Sequence, residues 1–301
     1  MKAFLLAAGY GERLRPITDS LPKPLVPVMN VPSVCYALML LKEAGITDVV
    51  CNLHHLPDRI ESFFRAHAAF GMNITFSREP VILGTGGGLA NCRRELGGEP
   101  FAYINSDIIA DIDIGMLSKA LDAAGAGGAL AVRRTAPGSG RVAVSGGRAV
   151  NLRNILPGTP LPDHDFLGVA VLSPAIFDHL AGGYSDIVET GLIALAREGA
   201  LAIREFGGMW YDIGTMESYR AANVGLVDMN EAYAERVRAA TGMMPSAVSP
   251  GATLGPGALA RRSVIGDGCM IGDGAVVEES VLLPGVRVAP GGSVTREVRW
   301  P

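Results

Sequence analysis

The sequence feature that most constrains the fold is a six-residue repeat near the end of the chain. Consecutive hexads begin at Ile265 and read IGDGCM, IGDGAV, VEESVL, LPGVRV and APGGSV, and two earlier hexads, VSPGAT and LGPGAL, begin at residues 248 and 254. This period is typical of a left-handed parallel β-helix, in which each hexad forms one face of a triangular coil. Roughly two to three coils bury little surface alone, so we expect them to dock on the rest of the chain or on another subunit.

The first 110 residues alternate short apolar runs, which predict strands, with segments of helical spacing. The predicted strands are residues 3–8, 47–53, 72–76 and 101–104, and the predicted helices are residues 33–44, 57–70 and 85–96. This alternation predicts an α/β fold with a Rossmann-like, mostly parallel sheet flanked by helices. In such sheets, ligands bind beyond the carboxyl ends of the strands.

The middle of the chain predicts further strands and helices before the repeat begins. We expect strands at residues 128–135 and 166–172, a hairpin of residues 141–144 and 149–153, and helical segments at residues 114–124, 174–181, 185–198 and 216–241. The helical stretch before the repeat is interpreted as a connector. The sequence therefore predicts a large α/β domain, a connector and a β-helix, at residues 1–222, 223–245 and 246–301.

Composition argues against several classes of protein. The chain has 301 residues, a formal net charge of −4 and a pI of about 5.8, which argue against a nucleic-acid-binding surface or a basic membrane patch. No apolar run approaches the ~20 residues of a membrane span, and the first apolar run is too short for a signal peptide. The cysteines form no C-x-x-C pair, which predicts reduced thiols in a cytoplasmic protein.

The first thirty residues have the pattern of a loop that handles phosphate. The first predicted strand is followed by a glycine turn, an arginine and a lysine between prolines, at Gly9-Tyr10-Gly11, Arg13 and Pro22-Lys23-Pro24. Glycines let backbone N–H groups approach phosphate oxygens, and arginine offers a fixed fork of donors. A lone G-x-G would more often be a surface turn, but here all these features share one stretch. The P-loop pattern does not occur, and no third glycine follows at the dinucleotide spacing.

A second glycine cluster, LGTGGGL, occupies residues 83–89 between a predicted strand and a predicted helix. It has more glycines than a turn requires. We interpret it as a backbone surface, with exposed helix N–H groups, against a nucleobase or ribose. The alternative is a flexible turn at the helix entry.

Three acidic segments are candidates for chemistry. Asp107 directly follows a buried strand, where a carboxylate suits Mg²⁺, although an aspartate there can also cap a turn. The D-x-D at residues 111–113 resembles a glycosyltransferase metal motif, but it opens a predicted helix, and acidic residues suit a first helical turn. Asp186 and Glu189 lie three residues apart and could face sugar hydroxyls, but we favour a solvated helix face for that pair.

The stretch LLAAGYGERLRPITDSLPKPLVPV resembles the signature of the sugar-phosphate nucleotidylyltransferases, also called NDP-sugar pyrophosphorylases. The family pattern is roughly G-x-G-x-R-L-x-P-x-T followed by P-K-P and a hydrophobic residue, and all those positions are matched. Residues 210–215, WYDIGT, resemble the family segment W-x-D-I-G-T. The resemblance implies transfer of a nucleotide from an NTP to a sugar 1-phosphate, with release of pyrophosphate.

The resemblance also implies roles for individual residues. It implies catalytic roles for Arg13, Lys23 and Asp107, and binding of Mg²⁺ by Asp107 and Asp212. Nucleotide contacts are implied for Ala7, Ala8, Gly9, Gly11, Arg13, Lys23, Gly84, Thr85 and Gly86. Contacts to the sugar phosphate are implied for Gly168 and, beside the metal site, for Asn105, and we also expect Gly140 and Glu189 there from their positions in the sequence. Many relatives meet that phosphate with a lysine in the second half, but this chain has none after Lys119, which leaves Arg153 or Arg204 as replacements.

Several substrates stay open at this stage. The sequence slightly favours GTP with a mannose- or heptose-type 1-phosphate. The alternatives are a uridylyltransferase acting on glucose or an amino sugar 1-phosphate, and a cytidylyltransferase acting on a non-sugar phosphate such as phosphocholine. A non-catalytic nucleotide-sugar-binding regulatory subunit would be expected to lack the arginine, lysine or aspartates named above. We expect a homo-oligomer whose partners are an NTP and a sugar 1-phosphate, with no nucleic acid and no membrane.

Overall fold

The computed structural model describes residues 1–301, and the chain divides into two compact units. The first unit comprises Met1–Tyr10 and Leu40–Trp210, and the second comprises Gly11–Met39 and Tyr211–Pro301. The second unit therefore groups the arginine- and lysine-bearing segment with the C-terminal repeat. None of the helices combines the length and the apolar character needed to cross a lipid bilayer.

A nine-stranded mixed sheet forms the centre of the first unit. From edge to edge, its strands are Asn73–Arg78, Asp48–Leu53, Ala3–Leu6, Phe101–Asn105, His164–Leu172, Gly128–Arg134, Leu201–Glu205, Arg148–Leu152 and Val142–Ser145. The first four run parallel, whereas the fifth is antiparallel to both of its neighbours. The prediction of a mostly parallel sheet is therefore wrong for the second half, where the predicted hairpin also pairs antiparallel.

Helices of the chain begin and end where the sequence supplies caps. The longer helices are Val34–Glu43, Pro57–Ala66, Gly84–Asn91, Ile114–Ala124, Met216–Gly225 and Glu231–Thr241. The side chain of Asp113 accepts a hydrogen bond from the backbone N–H of Gly115 at 2.8 Å, which confirms that the D-x-D segment serves helix entry. Gly125, with φ +52°, ends the same helix in the left-handed region.

The core of the first unit is apolar and lies on the central strands. Phe4, Phe101 and Tyr103, on neighbouring strands, are almost completely buried together with Leu130 and Leu172. These strands carry apolar residues at nearly every position because they are covered on both faces. This core therefore fixes the ends of the strands, and the candidate residues come directly after those ends.

The repeat in the second unit forms a parallel β-helix with three sheets of three short strands. The strands are Thr253–Leu254, Leu259–Arg261, Val264–Ile265, Met270–Ile271, Val276–Glu278, Val281–Leu282, Arg287–Val288, Ser293–Thr295 and Val298–Arg299. Equivalent residues of successive coils are 17 apart in sequence, as the hydrogen bond between the backbone N–H of Ser280 and the Ser263 hydroxyl shows. A coil therefore consists of two six-residue steps and one five-residue step.

The five-residue step corrects the strict six-residue spacing read from the sequence. The side chains stacked inside the coils include Val277 and Leu282, five residues apart, whereas the six-residue spacing starts the next hexad at Leu283. Each shortened corner contains one non-glycine residue with positive φ, at Arg262, Glu279 and Arg296. The left-handed backbone of these residues turns the chain in one residue fewer.

The β-helix docks within the second unit against the connector and the segment that follows Lys23. The side-chain amide of Asn30 donates to the carbonyl oxygens of Ser246 and Ile265 at 2.9 and 3.0 Å. The Arg220 guanidinium, on the helix Met216–Gly225, donates to the Glu279 carbonyl at 3.0 Å. These three hydrogen bonds confirm the expectation that the coils dock on the rest of the chain.

Candidate functional site

The glycine turn at Gly11, in the second unit, is tightly packed against neighbouring side chains. Gly11 has φ +67°, and a Cβ at this position would lie 2.8 Å from Cγ2 of Thr18 and 3.3 Å from Cβ of Lys23. The Thr18 hydroxyl donates to the Gly11 carbonyl at 2.8 Å. Both the backbone conformation and the close neighbours therefore require glycine, and the turn brings Gly11 beside the base of the Lys23 side chain.

Lys23, which lies between Pro22 and Pro24, begins a single turn of 3₁₀ helix, Lys23–Leu25. The Ser33 hydroxyl donates to the Lys23 carbonyl at 3.2 Å, and Pro24 is buried. The backbone that carries the lysine is thus fixed at its carbonyl and by its proline neighbours.

Arg13 and Asp212 meet across Gly214 in the second unit. A Cβ on Gly214 would lie 2.6 Å from Oδ1 of Asp212 and 3.0 Å from Nη2 of Arg13. The backbone N–H of Gly214 donates to Oδ1 of Asp212. Thr215 then caps the helix Met216–Gly225. The glycine and threonine of the WYDIGT segment therefore present the Asp212 carboxylate beside the arginine that the signature supplies.

Asn105 and Gly168 lie together in the first unit, at the end of the strand Phe101–Asn105. Gly168 has φ +77°, and a Cβ there would lie 2.8 Å from Nδ2 of Asn105. The Oδ1 atom of Asn105 is buried and has no hydrogen-bond partner. A buried amide oxygen without a partner is costly, which indicates a position that a ligand's donor would satisfy. Asp107 follows two residues later, beyond the same strand end.

Of the two arginines considered as replacements for the missing lysine, Arg153 lies beside carboxylates. Its Nη1 lies 3.3 Å from Oδ2 of Asp186 and 3.5 Å from Oε1 of Glu189. The side chain of Glu189 is 64% exposed and that of Asp186 is half-buried, so a solvated helix face stays the prediction for this pair, now with an ion pair to Arg153. Burial raises the pKa of the Tyr103 hydroxyl above its usual range, and the nearby carboxylates of Asp186 and Asp107 raise it further. The charges of Asp107, Asp186 and Arg153 therefore all act on the hydroxyl of one buried tyrosine.

The second glycine cluster packs against protein atoms more closely than the sequence suggested. A Cβ on Gly84 or Gly86 would lie 2.5 Å from the carbonyl oxygen or 2.7 Å from the hydroxyl of Ser185. The Gly86 N–H already donates to the Ser185 carbonyl at 2.8 Å. The expectation of exposed helix N–H groups is therefore wrong for Gly86. The nucleotide contacts assigned to Gly84, Thr85 and Gly86 stay a prediction.

Close packing also requires glycine at position 140. A Cβ at this position would lie 2.4 Å from the carbonyl oxygen and 2.7 Å from the backbone nitrogen of His164. The lack of a side chain at Gly140 thus lets the strand His164–Leu172 lie against its backbone. Gly9, by contrast, has no heavy atom within 4 Å of such a Cβ, so its surface is open.

Sequence reasoning missed two polar residues close to the candidate nucleotide segments. Asn52 and Glu79 are buried at the ends of neighbouring parallel strands. A signal was present, because Asn52 interrupts the apolar strand DVVCNL and a polar residue in such a strand calls for a partner. The partner lies 27 residues away and could not be identified from spacing.

The chain is similar to known nucleotidyltransferases. A family model described as nucleotidyl transferase matches residues 2–140, and one described as GlmU-like, C-terminal hexapeptide matches residues 232–298. The chain is 32% identical over 234 residues to the N-acetylmuramate alpha-1-phosphate uridylyltransferase of Neisseria meningitidis, an alignment that covers 72% of this chain and 94% of that protein.

Two further comparisons extend this likeness. The chain is 32% identical over 225 residues to mannose-1-phosphate guanyltransferase beta-A of Xenopus laevis. That alignment covers 73% of this chain and 62% of the relative, which is less than two thirds of the relative's length. A crystal structure of UDP-glucose pyrophosphorylase complexed with UDP-glucose superposes with a TM-score of 0.63 at 20% identity, over 76% of this chain and 99% of that one. At that identity, the structural likeness shows the fold alone.

Proposed function

Because the chain belongs to the sugar-phosphate nucleotidylyltransferase family, we propose that it transfers a nucleotide from UTP to an N-acetylated amino sugar 1-phosphate of the muramate type, releasing pyrophosphate. The observation that carries this choice is the match to the Neisseria meningitidis uridylyltransferase, which spans 94% of that relative. The sequence alone leaned slightly towards GTP and a mannose-type sugar. That candidate is retained because of the similarity to the Xenopus laevis guanyltransferase.

The reaction needs little acid–base chemistry from the protein. The acceptor phosphate is already anionic and can attack the α-phosphorus without a general base. The physical obstacle is repulsion, since each pair of like charges at ~4 Å costs about 4 kcal/mol at an effective dielectric of ~20. We assign Arg13 and Lys23 to the triphosphate, where they would offset that repulsion and hold the leaving pyrophosphate in line.

The two aspartates suit magnesium. The chain has no group of three or more His, Cys, Asp or Glu side chains that could hold a metal. A set of one or two carboxylates, completed by water and phosphate oxygens, is how Mg²⁺ is usually held. Asp107 and Asp212 would hold the ion, which when bound would neutralise part of the phosphate charge. The orientation of Asp212 by the Gly214 N–H supports this role.

On the acceptor side, we assign Arg153 the role of the lysine that the chain lacks. Its ion pairs with Asp186 and Glu189 hold the guanidinium in the region of Tyr103 and Asp107. A guanidinium is well suited to bind a phosphate or a carboxylate through two hydrogen bonds. Asn105 supports the same assignment, because its unpartnered Oδ1 would accept a hydrogen bond from a sugar hydroxyl.

The first test measures pyrophosphate release with Mg²⁺ for each of the four NTPs against a panel of sugar 1-phosphates. We expect release with UTP and N-acetylmuramate 1-phosphate. Release only with GTP and mannose 1-phosphate would establish the second candidate. No release from any pair, with NTP binding still measurable, would refute the catalytic proposal and favour a non-sugar acceptor or a binding role.

A matched pair of variants tests the acceptor assignment. Arg153→Ala should raise the KM for the sugar phosphate at least about tenfold, since a charge-assisted bidentate contact is lost. Arg204→Ala removes an exposed arginine of the strand Leu201–Glu205 and should leave that KM unchanged. Equal effects of the two substitutions would refute the role of Arg153.

A further inference from the structure

A buried polar pair, Asn52 and Glu79, links two parts of the first unit that we assign to the nucleotide. Asn52 is completely buried and Glu79 is only 4% exposed. Their side chains lie at the ends of adjacent parallel strands, Asp48–Leu53 and Asn73–Arg78, next to the strand Ala3–Leu6. Burying a carboxylate is costly unless hydrogen bonds compensate for the lost water, so the pair calls for an explanation.

The hydrogen bonds of the pair form one continuous series. The backbone N–H of Ala7 donates to Oδ1 of Asn52 at 2.9 Å. Nδ2 of Asn52 donates to Oε1 of Glu79 at 2.8 Å. The backbone N–H of Leu83 donates to Oε2 of Glu79 at 2.9 Å. The series therefore begins and ends on backbone N–H groups, one in each segment assigned to the nucleotide.

This series can be satisfied in only one way by the two residue types present. Both ends are donors, so the side chains must offer an acceptor at each end and one donor between them. Glu79 must therefore offer one acceptor oxygen to each donor, and the Asn52 amide must have the orientation observed. A substitution that changes one group from acceptor to donor leaves two donors, or two acceptors, facing each other.

Two further contacts fix the same segments. A Cβ on Gly88 would lie 2.6 Å from Oε1 of Glu79 and 2.7 Å from Nδ2 of Asn52, so the helix Gly84–Asn91 packs directly on the pair. Nδ1 of His54 lies 2.7 Å from the Glu79 carbonyl oxygen, and its Nε2 lies 2.8 Å from the Tyr10 hydroxyl. The residues after the first strand are thus tied to Glu79 at two points.

We infer that Asn52 and Glu79 are positioning residues, which set the separation between residues 7–10 and the helix entry at residues 83–86. The inference rests on the proposed function and on the nucleotide contacts that the family resemblance implies for these two backbone segments. Neither side chain is required to touch the ligand. Their contribution is to hold two backbone surfaces at a fixed spacing, which lowers the cost of ordering them when the nucleotide binds.

A reciprocal exchange of charge tests the inference. Glu79→Gln leaves one donor of the series facing the new amide, and Asn52→Asp places two carboxylates within hydrogen-bond distance. The double variant N52D/E79Q restores the pattern: the aspartate accepts from Ala7 and from the glutamine amide, and the glutamine oxygen accepts from Leu83. Glu99→Gln, at an exposed carboxylate of the same unit, is the matched control.

We expect each single variant to weaken NTP binding, measured directly without sugar phosphate, by roughly tenfold or more, as an unsatisfied buried group implies. The KM for the sugar 1-phosphate should change less than about threefold, because no acceptor residue takes part. The double variant should recover NTP binding to within about threefold of the wild type. The Glu99 variant should bind NTP as the wild type does.

Two results would overturn the inference. Single variants that lower the melting temperature but bind NTP normally would show that the pair only supports the fold. A double variant that binds no better than the single variants would show that the hydrogen-bond pattern is not what matters. Failure of the proposed function has a different signature, because the wild type would then release no pyrophosphate with any substrate pair while the binding comparison could still be made.

Discussion

Replacing Gly11 by alanine should weaken nucleotide binding as well as lower the stability of the fold. The glycine has φ +67°, where an L-residue costs about 1–2 kcal/mol. The new Cβ would also lie 2.8 Å from Cγ2 of the buried Thr18, and overpacking of this kind costs about 1–3 kcal/mol. The turn can relieve the contact only by moving relative to Thr18 and the neighbouring Lys23.

The assay is steady-state pyrophosphate release as a function of NTP concentration, combined with thermal unfolding. A loss of only ~1.4 kcal/mol in nucleotide binding raises KM about tenfold, so we expect at least that increase. Gly45→Ala is the matched control, since Gly45 has φ +70° but no heavy atom within 4 Å of the new Cβ. It should lower the melting temperature without changing the KM for NTP.

A second substitution separates the contact from the backbone strain. Thr18→Ser removes Cγ2 but keeps the hydroxyl that donates to the Gly11 carbonyl. Compared with Thr18→Ser alone, the double variant G11A/T18S should recover most of the lost affinity for NTP. The reasoning is refuted if Gly11→Ala and Gly45→Ala cost the same stability and neither changes the KM for NTP.

Three further predictions follow from individual contacts. Asp107→Ala should reduce turnover nearly to background while the free energy of unfolding changes by no more than about 0.5 kcal/mol, as for other substitutions outside the core. Asn30→Ala removes two hydrogen bonds to carbonyls of the C-terminal part of the chain, of which the Ile265 carbonyl keeps the Ser249 N–H as a donor, and should cost about 1–3 kcal/mol in urea unfolding. The hydrogen bond from the Arg134 guanidinium, assisted by His164, lowers the pKa of Glu205 below its ordinary 4.5. The stabilisation by that ion pair should therefore be present above pH 4.5 and disappear as the pH falls below it. It should be small, because both side chains of the pair are exposed.

Each of these predictions has a result that contradicts it. Near-normal pyrophosphate release by the Asp107 variant would remove that residue from the metal site. An Asn30 variant as stable as the wild type would show that the β-helix docks without that side chain. For Glu205→Gln, the difference in unfolding free energy from the wild type should shrink as the pH falls below 4.5, and a difference that grows would reverse the assigned direction of the pKa shift.

Local patterns in the sequence were sufficient to predict most individual elements. The strand Phe101–Asn105, the helix Ile114–Ala124 with its Asp113 cap and the hairpin Val142–Ser145 with Arg148–Leu152 all depend on neighbouring residues. The signature loop was equally readable, because glycine at a positive φ and a lysine between prolines are constraints on a few consecutive bonds. The family followed from that same stretch.

Other features depended on residues that are distant in sequence, and only the tertiary structure decided them. The sheet is mixed because the strand His164–Leu172 lies antiparallel between two others. The residues of that strand do not indicate in which direction it pairs. The β-helix corner shortens by one residue because Leu282 stacks on its neighbours inside the coil.

The candidate site shows the same division between local and distant information. The sequence by itself determined which residue types are available: the arginine, the lysine and the two aspartates. Tertiary packing determined that Arg153, rather than Arg204, is paired with Asp186 and Glu189. It also determined that the glycines at 86 and 88 admit protein neighbours. The physical reason is that hydrogen bonds, ion pairs and close contacts join atoms across the fold, whereas sequence patterns report only the preferences of a local segment.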